Sequence, residues 1–129
     1  MAIWDWNKDT VSRVSFNPSE HNVLASVALD RYLTLYDARA RTPLKRVALK
    51  NKSSALAWNP HNPLIIVLGN EDSNCYSFDL RKLDTPRKVF KGHLGAILDI
   101  DFSPTGREFV TGSFDRTIRL FEIGPRANA

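Results

Sequence analysis

With a single cysteine, Cys75, in 129 residues, no internal disulfide forms, and one thiol does not supply the ligand set of a structural zinc site. Such usage suits a reducing compartment. Glycine is sparse at six, and no Gly-rich phosphate loop or nucleotide fingerprint occurs; Thr105-Gly106-Arg107 reads as a hairpin turn. No apolar run approaches the roughly 20 residues that a helix needs to cross a bilayer. Pro63 to Leu68 is among the longest, and no charged-then-apolar leader opens the chain. Neither a membrane span nor a secretion signal is expected. Paired carboxylates at a cleft-like spacing are missing too, and acid is absent altogether from Ala38 to Asn70, where six basic residues stand alone (Arg39, Arg41, Lys45, Arg46, Lys50 and Lys52).

What is present is the composition of one globular domain, 43% hydrophobic and 25% charged, with a mild net charge of +4. The basic residues are grouped rather than scattered. Besides the acid-free stretch, Arg81, Lys82, Arg87, Lys88 and Lys91 hold only Asp84 against them. Such groups meet an acidic partner or an RNA backbone, or else stand as solvated edge lysines that deter aggregation.

The chain repeats itself three times. Phe16-Asn17-Pro18 returns as Trp58-Asn59-Pro60 and Phe102-Ser103-Pro104, at offsets of 42 and 44 residues. Asp30, Asp72 and Asp115 follow at matching places, and Tyr36-Asp37, Phe78-Asp79 and Phe121-Glu122 come after them. Short apolar runs bounded by Asn-Pro, Ser-Pro and Asp turns read as strands, and no window carries a helical period. Polar fourth strands fit Leu44 to Leu49 and Arg87 to Phe90. Four antiparallel strands in every 40-odd residues are the mark of a β-propeller blade. The expected fold is all-β, a partial propeller of three four-stranded blades over about 9–39, 44–81 and 87–123, with a short tail at 124–129. Roughly four to eight blades close a ring. The chain is therefore expected to be part of a larger propeller or to complete its ring by association. Uncovered blade faces are expected at Val11, Val14, Phe16, Val23, Leu24 and Leu35 on one side, and at Ile97, Ile100, Phe109, Ile118 and Leu120 on the other.

Gly92-His93, then Ile100-Asp101-Phe102-Ser103-Pro104-Thr105-Gly106, then Thr111-Gly112-Ser113-Phe114-Asp115-Arg116-Thr117-Ile118-Arg119-Leu120-Phe121 resemble a WD-repeat almost position by position. The resemblance implies a hydrogen-bonded tetrad, onto which His93, Ser113 and Asp115 map, with Phe121 in the place of a tryptophan. Asp30 and Asp72 map onto the turn aspartates of the other two blades. A hydrolase triad of Ser113, His93 and Asp115 is the competing reading, and the WD pattern opposes it because these groups satisfy one another inside the blade. His21 and His61, after the Asn-Pro turns, read as surface histidines rather than metal ligands. No catalytic, cofactor or metal site is expected.

Two surfaces remain for binding. Tyr36-Asp37-Ala38-Arg39 and Phe78-Asp79-Leu80-Arg81 resemble the box by which many WD-repeat substrate receptors dock on the DDB-type adaptor of cullin-RING ubiquitin ligases; alternatively the aspartates end a strand and the arginines are solvated. Arg41, Lys45, Arg46, Lys50 and Lys52 offer contact to RNA or an acidic partner. No aromatic platforms accompany them, so RNA contact is expected to be incidental. Finally, the blocks Asp9 to Pro18, Asn70 to Asp84 and Leu98 to Val110 resemble the middle blades of the nucleolar Sof-type (WD and SOF domain-containing) proteins. That resemblance implies a nuclear, nucleolar scaffold of the small-subunit processome, acting with its small nucleolar RNP in maturation of small-subunit ribosomal RNA. Docking on the ligase adaptor is the alternative function.

Overall fold

The computed structural model describes residues 2–124, so positions 125–129 of the expected tail lie outside the described residues. Among the described residues there are eleven strands: β1 (Val11–Phe16), β2 (Val23–Ala28), β3 (Tyr32–Asp37), β4 (Lys45–Ala48), β5 (Ser53–Trp58), β6 (Ile65–Asn70), β7 (Cys75–Asp79), β8 (Lys88–Phe90), β9 (Ile97–Phe102), β10 (Glu108–Ser113) and β11 (Ile118–Glu122). They form three antiparallel meanders in chain order, β1-β2-β3-β4, β5-β6-β7-β8 and β9-β10-β11. The chain is thus a partial β-propeller of WD-type blades, the third with three strands among the described residues. The polar strands β4 and β8 pair with β3 and β7. The sheets therefore span 11–48, 53–90 and 97–122, and the sequence units at 44–81 and 87–123 each start on the outer strand of the preceding sheet.

Each hairpin between a sheet's second and third strands is built alike. The residue after the turn aspartate takes a left-handed backbone, with φ of 69° at Arg31, 76° at Ser73 and 70° at Arg116. The aspartate makes this affordable by accepting the N–H two residues on, at 3.1 Å from Tyr32, 3.1 Å from Asn74 and 2.9 Å from Thr117. Near the start of each first strand the register shifts by one residue, between Val11 and Arg13, between Ser53 and Ala55, and opposite Gly112 and Ser113. A bulge there bends the strand and increases its twist.

The core lies between sheets rather than inside any one of them. Ala25, Val27, Leu33 and Leu35 of the first sheet pack against Leu56, Trp58, Ile66, Leu68 and Phe78 of the second. Ala55, Val67, Cys75 and Phe90 of the second meet Ile97, Ile100, Phe102 and Phe109 of the third. Having neighbours on both faces, β6 is buried at all six positions, which explains its unbroken Ile65-Ile66-Val67-Leu68 run. At Gly69 the sheets approach so closely that an added Cβ would lie 2.5 Å from the Ile97 side chain.

The expected uncovered faces are corrected in part by this packing. Leu35, Ile97, Ile100 and Phe109 are buried, because each points toward the middle sheet. The outer faces do stay open: Ile118 and Leu120 are 80% and 61% exposed, while Leu33 and Leu35, at the same places in the first sheet, are at 0% and 7%. Val14 and Phe16 are likewise exposed where Ile100 and Phe102 are covered. Part of the first sheet's outer face is roofed by the segment before β1: Trp4 stacks on Tyr36 with ring centroids 5.6 Å apart and donates its indole N–H to Ala40 O at 3.0 Å.

Candidate interaction surface

The two arginine boxes are nearly identical structures. Asp37 closes β3 and Asp79 closes β7, each accepting the backbone N–H of the arginine two residues on at 2.9 Å. The guanidinium then folds back on the same carboxylate, Nε to Oδ1 at 2.9 and 3.0 Å and Nη2 to Oδ2 at 2.7 and 2.6 Å for Arg39 and Arg81. This fork lowers the Asp37 pKa to about 2, the Arg39 side-chain hydrogen bond being the largest cause, and Asp79 moves in the same direction for the same reason. The carboxylates are mostly covered, whereas the arginine side chains remain 71% and 61% exposed. Each box therefore presents a planar cation whose orientation is fixed in advance. The one aromatic of each box is not available: Tyr36 lies under Trp4, and Phe78 sits in the first inter-sheet core. As docking residues Tyr36 and Phe78 are thus corrected to supports, since strand alternation turns them into the sheet packing.

Beside Arg81 a cleft of about 1270 Å³ opens between the second and third sheets, with Arg87, Arg107, Glu108 and Glu122 in its walls. Along the outer strand of the first sheet, Arg41, Lys45 and Lys50 are exposed and Lys52 is half-buried. Arg46 departs from the expected free basic edge. Its guanidinium lies 4.3 Å from the Tyr32 ring centroid and 3.8 Å from the Asp30 carboxylate, because on β4 it points across the sheet toward the hairpin.

His93 is held on three sides. Its Nδ1 lies 3.0 Å from Asp115 Oδ2 and 3.1 Å from Thr117 Oγ1, and its Nε2 lies 2.6 Å from Thr111 Oγ1. Ser113, expected as its partner, is instead bound elsewhere: its hydroxyl donates to Gly95 O at 2.9 Å and accepts the Asp115 N–H at 3.1 Å. Thr111 and Ser113 face one side of β10, two positions apart, and the His93 ring reaches the level of Thr111. Phe121 fills the tetrad's fourth place as an edge-on ring, 6.4 Å from His93 by centroids. Asp115 is held well below the usual carboxylate range, first by the Thr117 hydroxyl and then by the Leu94 N–H. The serine–histidine contact that a hydrolase requires is not made.

Asp30 and Asp72 do comparable work without a histidine. Asp30 accepts the Lys8 N–H at 3.0 Å, and Asp72 accepts from the Asn51 carboxamide at 3.1 Å and from the Tyr76 hydroxyl. Asn17 and Asn59, landmarks of the sequence repeat, also join the blades. Each Oδ1 accepts two N–H groups of its own turn, while the Nδ2 of Asn17 donates to Pro63 O at 3.0 Å and that of Asn59 to Gly106 O at 2.9 Å. The recurrence of Asn before Pro in two units was the available signal. Cys75 is buried, which pushes its thiol pKa up to about 12. Among the described residues no group of three His, Cys, Asp or Glu side chains is placed to hold a metal ion.

The family model "WD domain, G-beta repeat" matches residues 84–122. Over 123 residues the chain is 45% identical to the DDB1- and CUL4-associated factor 13 of Xenopus laevis, covering 95% of this chain and 28% of that protein. The Homo sapiens protein of that name is 49% identical over 118 residues, 92% of this chain and 26% of its own length. Protein SOF1 of Saccharomyces cerevisiae is 40% identical over 117 residues, 91% of this chain and 24% of its own. The chain spans about a quarter of the length of these curated relatives. In blade pattern, hairpin geometry and sequence identity alike, this is a partial WD-repeat propeller similar to one stretch of the SOF1 and DDB1- and CUL4-associated factor 13 proteins.

Proposed function

We propose that the chain serves as a non-catalytic interaction scaffold in the small-subunit processome, acting in maturation of small-subunit ribosomal RNA in the nucleolus. The observation that carries this reading is sequence identity with SOF1 over nine-tenths of the chain, on a fold whose polar constellations are engaged in holding blades together. Its contacts are with processome proteins and the associated small nucleolar RNP, and RNA phosphates are met only incidentally by Arg41, Lys45, Lys50 and Lys52. Tagged chain from growing cells, run on a density gradient, should travel with small-subunit precursors. Migration only as free protein would refute the reading.

A second reading is favoured by the paired forks at Arg39 and Arg81, together with similarity to proteins named for association with DDB1 and CUL4: docking on the adaptor of a cullin-RING ligase. A guanidinium held by one carboxylate still has N–H groups for a partner's carbonyl or carboxylate. Arg39→Ala combined with Arg81→Ala should abolish adaptor capture and leave pre-ribosome association largely intact. Undiminished adaptor capture by this double variant would remove the boxes from the account.

A further inference from the structure

The loops that lead into the outer strands carry a pattern that neither the blade architecture nor the arginine boxes explain. Thr42-Pro43-Leu44-Lys45 and Thr85-Pro86-Arg87-Lys88 both read Thr-Pro-x-Lys and stand at corresponding places in successive repeats. Their anchoring is the same. On the entry side Ala40 N–H bonds to Asp37 O and Lys82 N–H to Asp79 O, both at 2.9 Å. On the exit side Leu44 N–H bonds to Leu35 O at 2.7 Å and Arg87 N–H to Ser77 O at 2.6 Å. Between these fixed points Thr42 and Thr85 are exposed, and neither hydroxyl is engaged by another described residue. Proline after each threonine removes a backbone N–H and biases the threonine toward an extended backbone.

We propose that Thr42 and Thr85 are paired phosphoacceptors of a proline-directed protein kinase, the class that takes an extended Thr-Pro segment and favours a basic side chain three residues on. Lys45 and Lys88 occupy that third position, and both are exposed. In the transfer, the threonine Oγ attacks the γ-phosphorus of ATP, the bond to the ADP oxygen breaks, and the hydroxyl proton passes to the kinase's catalytic base. Each phosphate brings about −1.5 to −2 charges at pH 7. Two of them would nearly cancel the chain's net +4. The added charge falls beside Arg39, Arg41 and Lys45 in one blade and Arg81 and Lys88 in the next. Modification would therefore act on the basic edge itself, whichever partner that edge meets.

The test is incubation of the folded chain with ATP and a cyclin-dependent kinase, followed by intact-mass and peptide analysis. The expected result is up to two added phosphoryl groups, mapped to Thr42 and Thr85. Thr42→Val or Thr85→Val should each remove one and the double variant both, while Pro43→Ala with Pro86→Ala should lose most of the label. Urea melts of the variants establish that the fold is intact. The proposal is overturned if the folded chain stays unlabelled while synthetic peptides of the two loops are labelled, since the fold then hides the motifs. Label that persists in the double threonine variant overturns it equally.

Discussion

Thr111 and Ser113 differ by one pleat of β10, and that step decides which of them serves His93. The Nε2 of the buried ring ends at Thr111 Oγ1, 2.6 Å away. Thr111→Val keeps the shape and removes the partner, so one ring nitrogen is left unsatisfied at a cost of about 1–3 kcal/mol. Urea unfolding monitored by tryptophan fluorescence reads this as a lowered midpoint with an unchanged slope. Ser113→Ala should also destabilise, but through Gly95 O and the Asp115 N–H, leaving the histidine contacts in place. A second residue-scale consequence concerns acid. Asp37 has its pKa lowered from 3.8 to about 2, so its contribution to stability is complete above the unfolded value and is lost as pH falls from about 3.8 through 2. Carboxyl NMR titration should place Asp37 near 2 in the native chain. In Arg39→Ala it should return toward 3.8. An unmoved value there would mean that the fork is not the cause. The histidine's attachment to Asp115 was legible in Gly92-His93 and Ser113-Phe114-Asp115. The choice of Thr111 was not, because alternation tells which face a side chain takes and not how far a ring reaches.

At the scale of elements, the repeat made the strands visible and left their grouping ambiguous. β4 and β8 precede the next unit's recurring landmarks in the chain, but they hydrogen-bond backward to β3 and β7. Such short polar strands carry too little pattern to declare which neighbour they join. The blade-to-blade clasps were hidden for a related reason. An Asn before Pro announces a turn, yet whether its carboxamide also donates outward depends on what the next blade brings within reach. Asn59→Ala should cost about 1–3 kcal/mol, since both its own turn and Gly106 O lose partners. Gly106 has φ of +72° and lies against the Asn59 carboxamide, so Gly106→Ala meets backbone strain and a clash together. It should lower the thermal midpoint at least as much as Asn59→Ala does, as calorimetry of the two variants would determine.

For the whole molecule, inter-sheet burial is the organising term. The middle sheet has both faces covered, whereas Val14 and Phe16 on one outer face and Ile118 and Leu120 on the other meet solvent. Burying a large apolar side chain is worth roughly 1.5–3 kcal/mol, so a handful of them compares with the roughly 5–15 kcal/mol that holds a domain together. The isolated chain should self-associate at micromolar concentration, with a melting point that rises with concentration, and Ile118→Glu with Leu120→Glu should shift sedimentation toward monomer. A sharp, concentration-independent monomer melt would show that the open faces carry no such drive. The three-blade pattern is legible in the sequence as unfinished burial, but the inward facing of Leu35, Ile97, Ile100 and Phe109 is not, because alternation alone does not say which face meets a neighbour.

The measurement that bears most directly on the scaffold account is affinity purification of the tagged chain from growing cells, with identification of the bound proteins and RNAs. A processome scaffold should recover small-subunit processome proteins together with a small nucleolar RNP and precursor ribosomal RNA, retained in the Arg39→Ala, Arg81→Ala double variant. Recovery of the ligase adaptor alone, lost in that variant and free of pre-ribosomal RNA, would contradict it.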